Sequence, residues 1–330
     1  MSKTYDVAGM GNAIVDVLAP VSDDFLLEHS IAKGVMTLVD EFRARELYTA
    51  LGSASEVAGG SAANTMAGLA SLGGKGLFVG KVKDDRLGQS FAESLTGQGV
   101  RYTTKMAREG APTACCIIAV TDDGHRSMST YLGASREISP GDVDVGDIAA
   151  SAVLYVEGYL WDQPEAKAAI EKAMGAAKQA HGKVALTLSD PFCVGRYREE
   201  FLKLLHTGVD VLFANEEEAK ALFEVEAFDD VLQHIRPWHG VAALTRSAKG
   251  CVVARGSEVH VLDAVPVKQV TDTTGAGDQF AAGFLYGLTR GKDLAHCGRL
   301  GAIAAAEVIS HYGARPETSL KTLAAQAGLT

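Results

Sequence analysis

Residues 271–285, "TDTTGAGDQFAAGFL", carry the most informative pattern in the chain. Gly275, Ala276 and Gly277 allow a tight turn, and an apolar run of helical period starts at once. Their backbone N–H groups would stand at a helix start, where unpaired donors and the helix dipole favour an anion. A phosphate loop would be expected to finish on lysine, but this one finishes on Asp278. A carboxylate beside a bound anion costs repulsion unless it has a task. Taking a proton from an attacking hydroxyl during phosphoryl transfer is such a task. The plainer alternative, a first-turn acid that stabilises its own helix, leaves the glycines without a purpose.

Around this stretch, apolar runs rich in β-branched residues alternate with segments of helical period. "YDVAGM", "GLFVGKV", "AVLYVEG", "KVALTLS", "DVLFAN" and "GVAALTR" read as buried strands. Residues 61–72, 85–98, 164–181, 215–224 and 276–290 read as helices between or after them. The alternation predicts an α/β fold with a mostly parallel sheet covered on both faces, its ligands at the C-terminal strand ends. Residues 14–57 and 105–135 break the pattern with shorter candidates, "VMTLV", "TACCIIAVT" and "RSMSTYL". These predict a small β lobe that closes over the cleft as a lid on one domain spanning 1–330.

The 330 residues are 47% hydrophobic and carry a formal charge of −10, which fits a globular protein and disfavours nucleic acid as a partner. Of five cysteines only Cys115 and Cys116 are close, and strand neighbours point to opposite faces, so they are poor disulfide partners. No CxxC or His/Cys cluster suggests zinc. The start, "MSKTYDVAGMG", lacks a signal-peptide core, and no apolar run is long enough for a bilayer. A cytoplasmic location with no membrane partner is expected.

Three further stretches have two readings each. "GMGNAI" places glycines at 9 and 11 after the first strand, but Ile14 stands where a dinucleotide fingerprint needs its third glycine. "EVAGGSAANTMAGLASLGG", 56–74, offers bare backbone at a helix start with Asn64 as donor and acceptor, or merely a turn with Ser61 as N-cap. "DVLFANEEEAKALF" sets Asn215 and Glu218 on one face at a strand end, suited to water-bound Mg²⁺ on nucleotide phosphates, or to a solvated acidic helix start.

Together, "GGSAANTMAGLASLGG...VGKVKDDRLG", "NEEE" and "DTTGAGD" resemble, in order and over nearly the whole chain, the signatures of the ribokinase-like (PfkB) carbohydrate and nucleoside kinases. The resemblance implies the ribokinase-like fold, a mostly parallel sheet flanked by helices with a small β-sheet lid. It also implies ATP as donor, Mg²⁺ held through water by Glu218, and a K⁺ site near Asp272 and Thr274. Within the family, "GNAIVDV", "EHSIAKGVMTLVDE", "APTACCIIAVTDDGHRSMSTYLGA" and "DPFCVGRYREEFLKLLHTGVDVLFANEEEA" are similar to adenosine kinases. That likeness implies transfer to the 5′-hydroxyl of adenosine, with Asp278 as base, Gly275, Ala276 and Gly277 as anion hole, and Arg126 on the transferring phosphate. Asn12, Asp16, Gly59, Gly60, Ser61 and Asn64 would then hold ribose, while Leu38, Met128, Tyr159 and Phe192 enclose the base. Asn215, Thr245, Gly250 and His311 would line the ATP side. The chain departs from many adenosine kinases in carrying Tyr159, Leu160 and Trp161 in place of two adjacent phenylalanines, and Met128 in place of a lid leucine. A sugar kinase acting on ribose, fructose or a keto-sugar acid is the alternative, as a monomer or homodimer.

Overall fold

The computed structural model describes residues 3–329. In chain order its strands begin with β1 (Tyr5–Met10), β2 (Ile14–Pro20), β3 (Met36–Leu38), β4 (Ser55–Gly59), β5 (Gly76–Val79), β6 (Arg101–Tyr102) and β7 (Ala114–Val120). They continue with β8 (Arg126–Tyr131), β9 (Ser151–Glu157), β10 (Lys183–Thr187), β11 (Val211–Asn215), β12 (Val241–Thr245), β13 (Cys251–Arg255) and β14 (Glu258–Leu262). The main sheet has the order β14-β13-β12-β11-β10-β9-β1-β5-β6, parallel from β6 through β12. A second sheet has the order β3-β8-β7-β2-β4. This is the ribokinase-like α/β architecture expected from the sequence.

The six strands read from apolar runs are all present, because each is buried on both faces and needs no polar alternation. Along β1 and β9, alternate residues enter different layers. Met10, Leu154 and Val156 pack with Ala169, Ile170 and Phe201 under the helices Pro164–Gln179 and Pro191–Thr207. Val7, Val153 and Tyr155 pack with Met66, Phe280 and Phe284 under the helices Ser61–Ser71 and Ala276–Thr289. Phe284 is fully buried between layers, so Phe284→Ala would cost ~3–5 kcal/mol in lost contact and cavity. A Cβ on Gly68 would lie 1.9 Å from Gln279 Oε1, so a bare residue is needed where these last two helices touch.

The irregular segments supply the second sheet: β2, β3 and most of β4 come from residues 14–57, and β7 and β8 from 105–135. Between β3 and β4 the chain also forms the helix Glu41–Leu51, capped by Asp40, which sequence reading did not resolve. The antiparallel edge β13–β14 was likewise not foreseen. Its hairpin pairs Arg255 with Glu258 around Gly256 and Ser257, a two-residue turn whose glycine has φ +58°.

Candidate active site

The parallel strands end on one edge of the sheet, and the polar residues picked from sequence follow those ends. Asn12 follows β1, Tyr159 follows β9, Phe192 follows β10, Asn215 closes β11 and Thr245 closes β12. The second sheet starts two residues after Asn12, so Asp16 on β2 belongs to the same region. Each of these residues is thus positioned by a strand that is itself locked in the core.

Asp278 stands in the first turn of Ala276–Thr289. Its carboxylate accepts from Ser61 Oγ at 2.6 Å and from Asn64 Nδ2 at 3.1 Å. Burial pushes it up to about 6, and those two donors hold it from rising further. Ser61 is therefore not the N-cap of its helix. Gly60, at φ +93°, takes that place without a side-chain bond, which frees the Ser61 hydroxyl for Asp278. Gly275, left-handed at φ +78°, caps the second helix. Ala276 N–H donates to Thr273 O at 3.2 Å, so the expected anion hole is reduced. The N–H groups of Gly275 and Gly277 have no partner among the described residues.

Around this carboxylate lie further charges. Asp16 packs on Gly59, where a Cβ would come 2.4 Å from its Cγ. Burial raises Asp16 to about 6 as well, opposed by Arg315 and Arg126 and reinforced by Asp278. Arg126 on β8 is paired with Asp272, both side chains buried. Asp272 also accepts from Thr274 N and Oγ1 and from Gly313 N. Asp272 and Thr274 are thus joined to each other, to Gly313 and to Arg126 in this arrangement.

Two site residues escaped the sequence reading. Glu157, at the end of β9, accepts from Asn12 N (2.7 Å), Asn12 Nδ2 (3.0 Å) and Ala62 N (2.9 Å). It thereby ties the β1–β2 link to the helix that carries Ser61 and Asn64. Burial pushes it up to about 7, although those N–H donors favour the charged form. Arg315 donates to Asn64 Oδ1 at 3.3 Å and to Gln98 Oε1 at 2.8 Å. Glu157 sits in no local motif, and the partners of both residues are distant in the chain.

On the other side of the edge, Asn215 and Glu218 form a reciprocal cap: Glu218 N donates to Asn215 Oδ1, while Asn215 N and Nδ2 donate to the carboxylate. Burial lifts Glu218 to about 7, and nearby Asp190 adds to the rise. Glu218 and Asp190 are thus two carboxylates close enough to repel each other at this strand edge. Gly250, at φ +80°, turns the chain back after Thr245 so that Arg246 N reaches its carbonyl at 2.7 Å. His311 is engaged structurally, with its ring nitrogens 3.2 Å from Glu307 Oε2 and 3.1 Å from Tyr312 O.

The apolar wall is not assembled. Phe192 is 80% exposed and Leu38 61%, Tyr159 is at the margin of exposure, and Met128 is half-buried. Tyr159 and Phe192 are nonetheless neighbours through one loop, since Tyr159 N donates to Ser189 Oγ and its hydroxyl to Ser189 O.

The sequence profile of the pfkB family carbohydrate kinases matches residues 35–321. The chain belongs to the PfkB family. This PfkB kinase is similar in structure to adenosine kinase from Sinorhizobium meliloti, with 51% identity and a TM-score of 0.90 over 98% of this chain and 99% of that one. A probable sugar kinase protein from Rhizobium etli matches at 47% identity and a TM-score of 0.91, over 99% of this chain and all of that one. Adenosine kinase of Saccharomyces cerevisiae is 27% identical over 94% of this chain and 96% of its own length. The kinase therefore transfers a phosphoryl group to a small molecule, with ATP use implied by its family. No helix among the described residues is long and apolar enough to cross a membrane.

Proposed function

We propose that this kinase transfers the γ-phosphoryl group of ATP to the 5′-hydroxyl of adenosine, giving AMP and ADP. The observation that carries this reading is the Asp278 carboxylate, raised to about 6 and held by Ser61 and Asn64 beside the free N–H groups of Gly275 and Gly277. A base poised near neutrality takes the proton of the attacking hydroxyl, and the N–H groups and helix dipole receive the charge on the transferred oxygens. Asp16 and Asn64 hold the ribose hydroxyls, while Phe192, Tyr159, Leu38 and Met128 enclose the purine once the second sheet closes as a lid on the single domain. Arg126 then exchanges Asp272 for phosphate. Asn215 and Glu218 would hold a hydrated Mg²⁺, which would supply charge neutralisation on the ATP phosphates. Phe192 leaves its ring exposed at the loop that also holds Tyr159, so it is accessible to a ligand there.

A sugar kinase is the second reading, favoured by the likeness to the Rhizobium protein and by polar groups that would bind a polyol without a base. Turnover with ATP across adenosine, other nucleosides, ribose and fructose decides between them. Adenosine is expected to give the highest kcat/KM, and a higher value for ribose or fructose would replace the nucleoside assignment.

A further inference from the structure

Arg315 is placed where a guanidinium is costly. Burial depresses it to about 10, and its Nη2 is buried without a partner among the described residues. Its Nε donates to Asn64 Oδ1 at 3.3 Å, and Asn64 Nδ2 donates to Asp278 at 3.1 Å. A guanidinium can only donate and a carboxylate only accept, so the two neighbours dictate the same orientation of the Asn64 amide. Arg315 Nη1 is fixed by Gln98 at 2.8 Å, which anchors the fork from outside the cleft. The charged or titratable groups acting on Asp16 are Arg315, Arg126 on β8 and Asp278. Cys116 on β7, opposite Asp16 in the sheet, has its thiol held neutral by burial, and Gly59 on β4 brings no charge. Arg126 is shared with Asp272, and Arg315 is the stronger of the two cations acting on Asp16.

We infer that Arg315 is a positioning residue of the acceptor site, which turns the Asn64 amide nitrogen towards Asp278 and supplies the counter-charge that keeps Asp16 able to accept substrate hydroxyls. The inference rests on the acceptor side of the function proposed above and adds a residue to it. Without this guanidinium only Asp278 orients the Asn64 amide, and Asp16 keeps its proton to higher pH.

The test compares Arg315→Gln and Arg315→Lys with the unaltered kinase, following kcat and kcat/KM from pH 5.5 to 9 alongside thermal melting. The acceptor is whichever of adenosine, ribose and fructose the unaltered kinase uses best, so inert adenosine defeats the substrate assignment while Arg315 is still tested. In the Gln variant the acidic limb of kcat/KM is expected about one pH unit higher, a loss of about fivefold at pH 6 that recovers towards pH 8.5. The Lys variant, keeping the charge but not the fork, should leave the limb in place and lower kcat. An unmoved limb in the Gln variant, or an equal loss at every pH, overturns the charge-balancing role. Should the Gln variant not fold, the Lys variant decides, because unchanged kcat or a displaced limb there overturns the inference.

Discussion

Ser61 Oγ donates to Asp278 Oδ1 at 2.6 Å across 217 positions of sequence, joining the first turns of two helices. The contact makes Asp278 more than an acid at the start of its own helix. Asp278→Asn preserves shape and can keep both neighbours as partners, so the fold should survive. We expect kcat to fall by ~10²–10⁴, the range for loss of a general base. Near-normal turnover by the purified variant would return Asp278 to a helix-stabilising role.

Arg126 and Asp272 form a buried pair, so removing one leaves the other charged and enclosed. Arg126→Ala should destabilise by ~3–5 kcal/mol in denaturant unfolding, less whatever Thr274 and Gly313 recover for Asp272. Adding Asp272→Asn should restore part of that stability but not kcat, if the arginine also serves the phosphate. Recovery of both by the double variant would confine Arg126 to structure.

Phe192 is largely in water in the ligand-free protein, so Phe192→Ala should change unfolding stability by no more than ~0.5 kcal/mol. For adenosine, losing stacking and burial should cost ~2–4 kcal/mol in kcat/KM, with ribose unaffected. Equal losses for both acceptors would exclude a base-stacking role.

Four carboxylates, Asp16, Glu157, Glu218 and Asp278, are raised by burial, Glu157 and Glu218 to about 7. Between their ordinary range and those values the folded chain binds more protons than the unfolded one. Their contribution to stability is therefore fully present below about pH 3.8 and is lost as pH rises through 6 for the aspartates and 7 for the glutamates. Melting of the ligand-free kinase should accordingly shift upward from pH 8 to 6, and Glu157→Gln should flatten that rise. A melting temperature that falls over this interval would contradict the assignment.

The sheet was legible because runs such as "DVLFAN" are apolar on both faces, and Asp278 stood out because glycines and a carboxylate share one turn. Glu157 closes the apolar run "AVLYVE" and looks like the mere end of a strand. Only the β1–β9 pairing brings it against Asn12. Arg315 lies in "GARP", which marks a turn, and its value comes from Asn64 and Gln98 across the fold. Ser61 as a cap failed for a local reason, since the glycine before it adopts a backbone that usurps the position. The pairing of Arg126 with Asp272 was hidden because a contact between a strand of the second sheet and a distant loop leaves no periodic trace.

The bare contact between Gly68 and Gln279 has a consequence during synthesis. Residues 62–69 are all buried, and much of their cover is the helix that begins at Ala276. A ribosome adding ~5–20 residues per second needs roughly 10–40 s to cover the intervening stretch of about 200 residues. For that interval Ala62, Met66 and Leu69 lack their covering helix, while most of the main sheet already exists. A nascent chain halted before residue 276 thus lacks Asp278 and leaves an apolar helix face uncovered at the same time.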